Sequence, residues 1–135
     1  MSVTLTDQDK ITLRTAAYGA VSLLAAAGAT GSPHKVATEG SIALASATGL
    51  VGHVLAEKST GMDLSGRSVA ELADRVLPAL TASVNLLRRQ APAEADNFRS
   101  TVLVAVEAAA RAQKGEPGPT MADMTRKITE ALDAA

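Results

Sequence analysis

The segment GATGSPHK, residues 28–35, gathers hydroxyl, imidazole and ammonium groups around two glycines. A nucleotide-binding P-loop needs the pattern G-x-x-x-x-G-K-[ST] after a strand, so that backbone N–H groups surround the phosphates. Here a helical pattern precedes the segment, the glycine spacing differs, and Val36 follows the lysine. A simpler anion site is predicted from Ser32, His34 and Lys35, because free N–H groups at a helix start attract negative charge. The alternative interpretation is a serine cap followed by a proline start.

Arg67 and Ser68, in the segment SGRS, form a second predicted anion site. A guanidinium beside the first N–H groups of a helix suits a carboxylate or a phosphate. Capping of the following helix explains Ser68 equally well without any ligand. The sequence leaves both interpretations open.

Catalytic and metal-binding residues are not predicted anywhere in the chain. His53 and Glu57 are one helical turn apart, but a metal site usually needs three or four protein ligands. The chain has no cysteine and no G-x-S-x-G nucleophile motif. We therefore expect no metal, no cofactor and no catalytic residue, and an enzyme is the third of three functional hypotheses.

A site for a small apolar ligand is the second hypothesis. The chain is rich in alanine and glycine, and Tyr18 is its only tyrosine. A bundle built from small residues can leave an apolar cavity between its helices. In such a cavity Tyr18, Ser46, Thr48 and His53 are the polar side chains predicted to orient a guest.

The elements that must position these residues are helices. Helical periodicity runs through nearly the whole sequence, without the sustained alternation typical of strands. Capping residues, glycines and prolines divide it into five predicted helices, over residues 7–27, 33–58, 69–90, 92–112 and from about 120 onward. Each predicted side-chain cap pairs a hydroxyl residue with an acidic residue three positions on: Thr6 with Asp9, Ser68 with Glu71 and Thr120 with Asp123. Apolar residues three and four apart predict inward-facing stripes along the last three helices. Because the connections are short, neighbouring helices are expected to be antiparallel. We expect an all-α, up-down helical bundle of about five helices, as one domain over residues 1–135.

The first two predicted helices are almost without charge. No Asp, Glu, Lys or Arg lies between Arg14 and Lys35, or between Glu39 and Glu57. A helix of this kind is buried on all sides or lies in a membrane. Its residues are small rather than strongly apolar and its flanks lack a basic bias, which argues against a membrane span. We therefore expect protein to cover both helices.

A ridge of small residues indicates how that covering is achieved. Ser41, Ala45 and Gly49 recur every four residues, and Gly52 follows. Small residues at this spacing let two helices approach closely. The ridge is predicted to pack in the monomer's own core or to form the seam of a homodimer. Because a core poor in large side chains gains burial by oligomerising, the preferred hypothesis is a non-catalytic interaction or scaffold protein that self-associates.

Charge and composition argue against other partners and compartments. The chain has 13 basic and 14 acidic residues, a net charge of −1, so nucleic-acid binding is not expected. The first ten residues lack a basic segment followed by an apolar run, so no secretory signal is expected. The absence of cysteine agrees with a cytoplasmic location.

Overall fold

Helices make up the whole architecture in the part of the chain that the computed structural model describes, residues 5–27, 33–57, 68–112 and 119–135. Their order is α1 Asp7–Ala27, α2 Pro33–Ala45, α3 Gly49–Ala56, α4 Val69–Gln90, α5 Pro92–Ala112 and α6 Pro119–Asp133. Helix α1 contacts each of the other five, so it lies at the centre of a helical bundle. The predicted all-α class is confirmed, and the described helices number six rather than about five.

Local side-chain caps begin two of the helices as predicted. At α1, the Asp9 N–H donates to Thr6 Oγ1 (3.0 Å) and the Thr6 N–H donates to Asp9 Oδ2 (3.1 Å). At α4, the Glu71 N–H donates to Ser68 Oγ (3.2 Å). Each bond satisfies an N–H group that has no partner within its own helix. The starts of α1 and α4 are therefore determined by pairs of residues three positions apart.

Helix α1 is buried because neighbouring helices approach it closely where side chains are small. A Cβ added to Gly19 would lie 2.5 Å from Val76 of α4, and one added to Gly40 of α2 would lie 2.7 Å from Val21. Its alanines at the centre of the bundle are fully buried (Ala16, Ala17 and Ala20). The prediction that protein covers the first uncharged helix is confirmed.

The predicted second helix, residues 33–58, is wrong as one continuous element. Helix α2 ends at Ala45 and α3 begins at Gly49. The Ser46 hydroxyl donates to the Ala43 carbonyl (2.7 Å), and Gly49 has φ +71°, in the left-handed region that favours glycine. The extended residue Thr48 stands between them. Local polar bonding and one glycine therefore break the helix.

The last three helices bury the apolar stripes that their sequences predict. Pro78 lies within α4, and Pro92 is the first residue of α5. Two residues of the predicted stripes, Val69 of α4 and Ala112 of α5, are only partly buried. The fully buried members are Leu72, Val76, Leu80, Val84 and Leu87 of α4, Phe98, Val102, Ala105 and Ala109 of α5, and Met121, Met124, Ile128 and Leu132 of α6.

Two details at the start of α6 differ from expectation. The helix begins at Pro119, one residue before the predicted cap Thr120. Asp123 pairs with Arg126 and Lys127.

Within the described ranges, no helix is long and apolar enough to cross a membrane.

Candidate functional site

The largest apolar side chains left in solvent by the described residues are Ile42 of α2 and Val104 of α5, which are 57% and 51% exposed. Other large apolar residues of these helices are buried or half-buried. Scattered exposed apolar residues are ordinary in proteins. The surroundings of these two therefore decide whether they mark a site.

The packing of α2 determines which of its residues face solvent. Val36, Gly40 and Leu44 are buried in the bundle. With 3.6 residues per turn, the opposite side of the helix must face outward. Its exposed residues are Lys35, Thr38, Glu39, Ile42 and Ala45, and Ser46, just after the helix, is exposed as well. The single chain therefore leaves this side of α2 uncovered, and the expectation that protein covers it stays a prediction about a second chain.

Two shallow clefts flank the exposed side of α2. One, of about 500 Å³, is lined by Tyr18, Ser41, Ile42 and Ala45 among others. The second, of about 200 Å³, includes Ser46 and extends to Val104. We call this surface the uncharged face, and define it by Tyr18, Ser41, Ile42, Ala45, Ser46 and Val104.

Two of the four residues of the predicted seam lie on the uncharged face. Ser41 and Ala45 belong to α2, whereas Gly49 and Gly52 belong to α3. A Cβ on Gly49 would lie 2.6 Å from Glu94 Oε1, and one on Gly52 would lie 2.2 Å from the Ala47 carbonyl oxygen. The two glycines are thus explained by the bend between the helices. The four residues do not form one continuous ridge.

The four residues predicted to orient a ligand are distributed over separate surfaces. Tyr18 lines the larger cleft and Ser46 the smaller, where it is joined by Thr48. The Tyr18 hydroxyl donates to the Leu55 carbonyl (2.8 Å). His53 has a side chain that is 76% exposed, with Nε2 3.5 Å from Glu57 Oε1.

The structure reveals a buried cation that the sequence reading missed. The Arg14 side chain is 5% exposed. Its Nε donates to the Val54 carbonyl (3.1 Å) and its Nη2 donates to Glu57 Oε2 (2.8 Å). Arg14 therefore satisfies carbonyl and carboxylate groups at the end of α3. The available signal was a lone arginine beside an uncharged helical stretch, since a buried charge requires a partner.

Electrostatics around Arg14 stabilise the ionised Glu57. Partial burial opposes ionisation of the Glu57 carboxyl, but Lys10, Arg14 and His53 outweigh it and lower its pKa. Lys10 Nζ lies 3.5 Å from Glu57 Oε1. Burial raises the pKa of the Tyr18 phenol, and Arg14 opposes part of that change. Tyr18 therefore stays protonated as a hydrogen-bond donor.

Side chains from α5 satisfy the opposite end of α3. The Leu50 N–H donates to Glu94 Oε1 (2.9 Å), and Asn97 Nδ2 donates to the Thr48 carbonyl (2.9 Å) and to Glu94 Oε2 (2.9 Å). Thr48, at the usual capping position, makes no side-chain cap bond. A carboxylate from another helix thus replaces the local cap.

The predicted anion sites are only partly within the described residues. Ser32, Arg67 and the side chain of His34 lie outside them. Lys35 is exposed and lines a cleft of about 390 Å³ with Glu39 and Arg111. Ser68 Oγ accepts the capping bond from the Glu71 N–H. Of the residues predicted to bind an anion, only Lys35 and Ser68 have side chains within the described part of the chain, and they belong to different predicted sites.

Over the described ranges of the chain, no group of three or more His, Cys, Asp or Glu side chains is placed to hold a metal ion. His53 and Glu57 form a pair, joined by Lys10 and Arg14 rather than by a further ligand. The charge pairing at the end of α3 is that of Glu57 with Lys10 and Arg14.

Comparison of the chain with protein-family models, with curated proteins and with solved structures gives no match.

Proposed function

We propose that this protein is a non-catalytic interaction module that self-associates as a homodimer through the uncharged face. The observation that carries the proposal is the position of Ile42, which is 57% exposed on a helix side flanked by small and hydroxyl residues. When a partner covers an isoleucine on an uncharged surface, the free energy of the system falls, because apolar side-chain area leaves water.

Burial energetics favour a partner on this surface. Complete burial of an isoleucine side chain stabilises by about 1.5–3 kcal/mol relative to full exposure. Ser41, Ala45 and Ser46 add little side-chain entropy cost and let another backbone approach. The six residues that define the uncharged face carry no formal charge, whereas Glu39, three residues before Ile42, lies on the same exposed side of α2. A partner that covers Ile42 and leaves Glu39 in solvent avoids the cost of desolvating a charge.

A second candidate is binding of a small apolar ligand in the cleft beside Tyr18. Its volume of about 500 Å³ falls within the range of common ligand sites. Ala37, Ile42 and Ala45 would supply apolar contact there. This candidate ranks second because three of the four residues predicted to orient the guest, Ser46, Thr48 and His53, do not line that cleft.

Sedimentation equilibrium over a hundred-fold dilution tests self-association. We expect the natural chain to shift from dimer to monomer as it is diluted, and Ile42→Glu to remain monomeric, because a buried carboxylate opposes pairing. Ala122→Glu is the matched control, since Ala122 is exposed on α6, and it should behave as the natural chain does. Circular dichroism should show unchanged helix content in both variants.

A natural chain that stays monomeric at every concentration would overturn the proposal. If that monomer also gains melting temperature with an apolar compound, and Ile42→Glu abolishes the gain, the ligand-binding candidate replaces it.

A further inference from the structure

We infer that α3 is an acid-released element: protonation of two carboxylates, Glu94 at its first turn and Glu57 just after its last, detaches the helix while the rest of the bundle stays folded. The inference is independent of the proposed self-association. It uses the contacts at the two ends of α3 and the small apolar area that the helix buries.

Helix α3 buries few side chains of its own. Three of its residues, Val51, Val54 and Leu55, are buried, whereas α4 buries seven. A helix of eight residues also gains little from intrinsic propensity. The free energy of local opening rises with the apolar area that becomes exposed. Polar contacts at its ends therefore supply a larger share of the stability of α3 than of α4.

Glu57 balances the buried cation at the last turn of α3. Arg14 Nη2 donates to Glu57 Oε2 at 2.8 Å, and the Arg14 side chain is 5% exposed. Lys10 Nζ and His53 Nε2 each lie 3.5 Å from the other oxygen, Oε1. Because an imidazole is charged in acid, protonation of Glu57 leaves three cations around a neutral carboxyl. A buried cation without its counter-charge destabilises the packed state, and Arg14 regains water when α3 moves away.

Glu94 holds the first turn of α3. The Leu50 N–H donates to Glu94 Oε1 (2.9 Å). Asn97 Nδ2 donates to Glu94 Oε2 and to the Thr48 carbonyl, both at 2.9 Å. A neutral carboxyl accepts such bonds roughly half as strongly as a carboxylate, and it no longer complements the positive end of the helix dipole. Gly49, at φ +71°, is a residue at which the chain can change direction at little cost, so α3 can turn away there.

The direction of the pH effect follows from these groups. The lowered pKa of Glu57 places the loss of its contacts below the ordinary value of 4.5, as the pH falls through the folded-state value. Burial raises the pKa of Tyr18, which donates to the Leu55 carbonyl, so that bond carries no charge in acid. Glutamate carboxyls take up protons in acid, so both ends of α3 lose a carboxylate there.

Amide hydrogen exchange, followed residue by residue by NMR at pH 7 and pH 3, tests the inference on the natural chain. Protection factors remove the direct effect of pH on the exchange chemistry. Between pH 7 and pH 3, protection over Gly49–Ala56 should fall about ten-fold or more beyond any fall in the core of α4, because the lost bonds are charged and local opening needs less free energy than global unfolding.

The double variant Glu57→Gln, Glu94→Gln should show the same selective loss at pH 7, because an amide carries no charge at either end of α3. The matched control is the double variant Asp96→Asn, Glu107→Gln. It removes the same charge from exposed positions of α5 and should keep the protection of α3.

Equal loss of protection in α3 and α4 at pH 3 would show that acid acts on the whole fold and would overturn the inference. Retention of α3 protection at pH 3, or in the Glu57→Gln, Glu94→Gln chain at pH 7, would overturn it as well. If that variant does not fold, the two profiles of the natural chain decide alone. The oligomeric state of the chain enters none of these outcomes.

Discussion

At the scale of single residues, Arg14 is a buried cation whose polar contacts join α1 to the end of α3. Its guanidinium joins α1 to the Val54 carbonyl and the Glu57 carboxylate. Only 5% of its side chain is exposed, compared with 29% for Lys10. Solvent therefore cannot replace the bonds of Arg14 as readily as those of Lys10.

Arg14→Met should lower the free energy of unfolding by about 2 kcal/mol, because it removes charged hydrogen bonds and leaves the Val54 carbonyl without this donor. Urea unfolding at neutral pH measures the change. Lys10→Met is the matched control at the same carboxylate, and it should cost about 0–1 kcal/mol. Equal losses in the two variants would contradict the role assigned to Arg14.

At the scale of elements, α3 depends on side chains from two other helices. It has eight residues, too few for stability from intrinsic propensity alone. Glu94 and Asn97 bond to its first turn, whereas Arg14 and Tyr18 bond to its last carbonyls. The helix is therefore a product of tertiary contacts at both ends.

Glu94→Ala should loosen α3 selectively, with a cost of about 1 kcal/mol, typical of a lost helix cap. Amide hydrogen exchange should become faster across Gly49–Ala56 while the core of α4 keeps its protection, because local opening needs less free energy than global unfolding. Asp96→Ala, an exposed change on the same helix, is the control and should leave α3 unaffected. Uniform acceleration over all helices would contradict this account.

At the scale of the whole molecule, two carboxyl groups link stability to pH. The pKa of Glu57 is below its ordinary value of 4.5, and hydrogen bonds from Arg126 and Lys127 lower the pKa of Asp123 below 3.8. A carboxyl with a depressed pKa in the folded state stabilises the fold above its unfolded-state pKa. That contribution is lost as the pH falls through the folded-state pKa.

We therefore expect the stability of the fold to decrease in acid. The free energy of unfolding should fall as the pH drops below 4.5, the ordinary value of the glutamate carboxyl. Glu57→Gln should be less stable than the natural chain at pH 7 and should converge with it in acid, where Glu57 is protonated. Urea unfolding between pH 3 and pH 7 measures both curves.

Glu107→Gln removes the same charge from an exposed pair with Arg111 at 3.8 Å. It should keep the natural dependence on pH. A constant difference between Glu57→Gln and the natural chain across the whole range would contradict the linkage.

Short-range patterns predicted much of the fold. Helix α1 has the predicted bounds, and its cap joins Thr6 to Asp9. The stripes of α4, α5 and α6 are buried where their spacing predicts. These features follow from residues three or four apart, which share a helix face or a turn.

The candidate site was predicted less completely, because it depends on how helices pack and not only on residues three or four apart. Ser41 and Ala45 were assigned to a seam, but Ile42, between them, was not. Its exposure results from the way α2 buries Val36, Gly40 and Leu44 in the bundle. Lys35, Thr38 and Glu39 share that exposed side of α2, so the local pattern indicates part of it. The exposure of Ile42 itself depends on packing partners distant in sequence.

The sequence by itself determined the helical class, the caps of α1 and α4, and the inward stripes of the last three helices, because each depends on interactions within one or two turns. Only the tertiary structure decided the separate existence of α3, the buried partners of Arg14 and the exposed position of Ile42. The first two depend on bonds such as Arg14 to Glu57 and Leu50 to Glu94, which join residues 43 and 44 positions apart. Such contacts form only when distant helices pack together, so no local pattern encodes them.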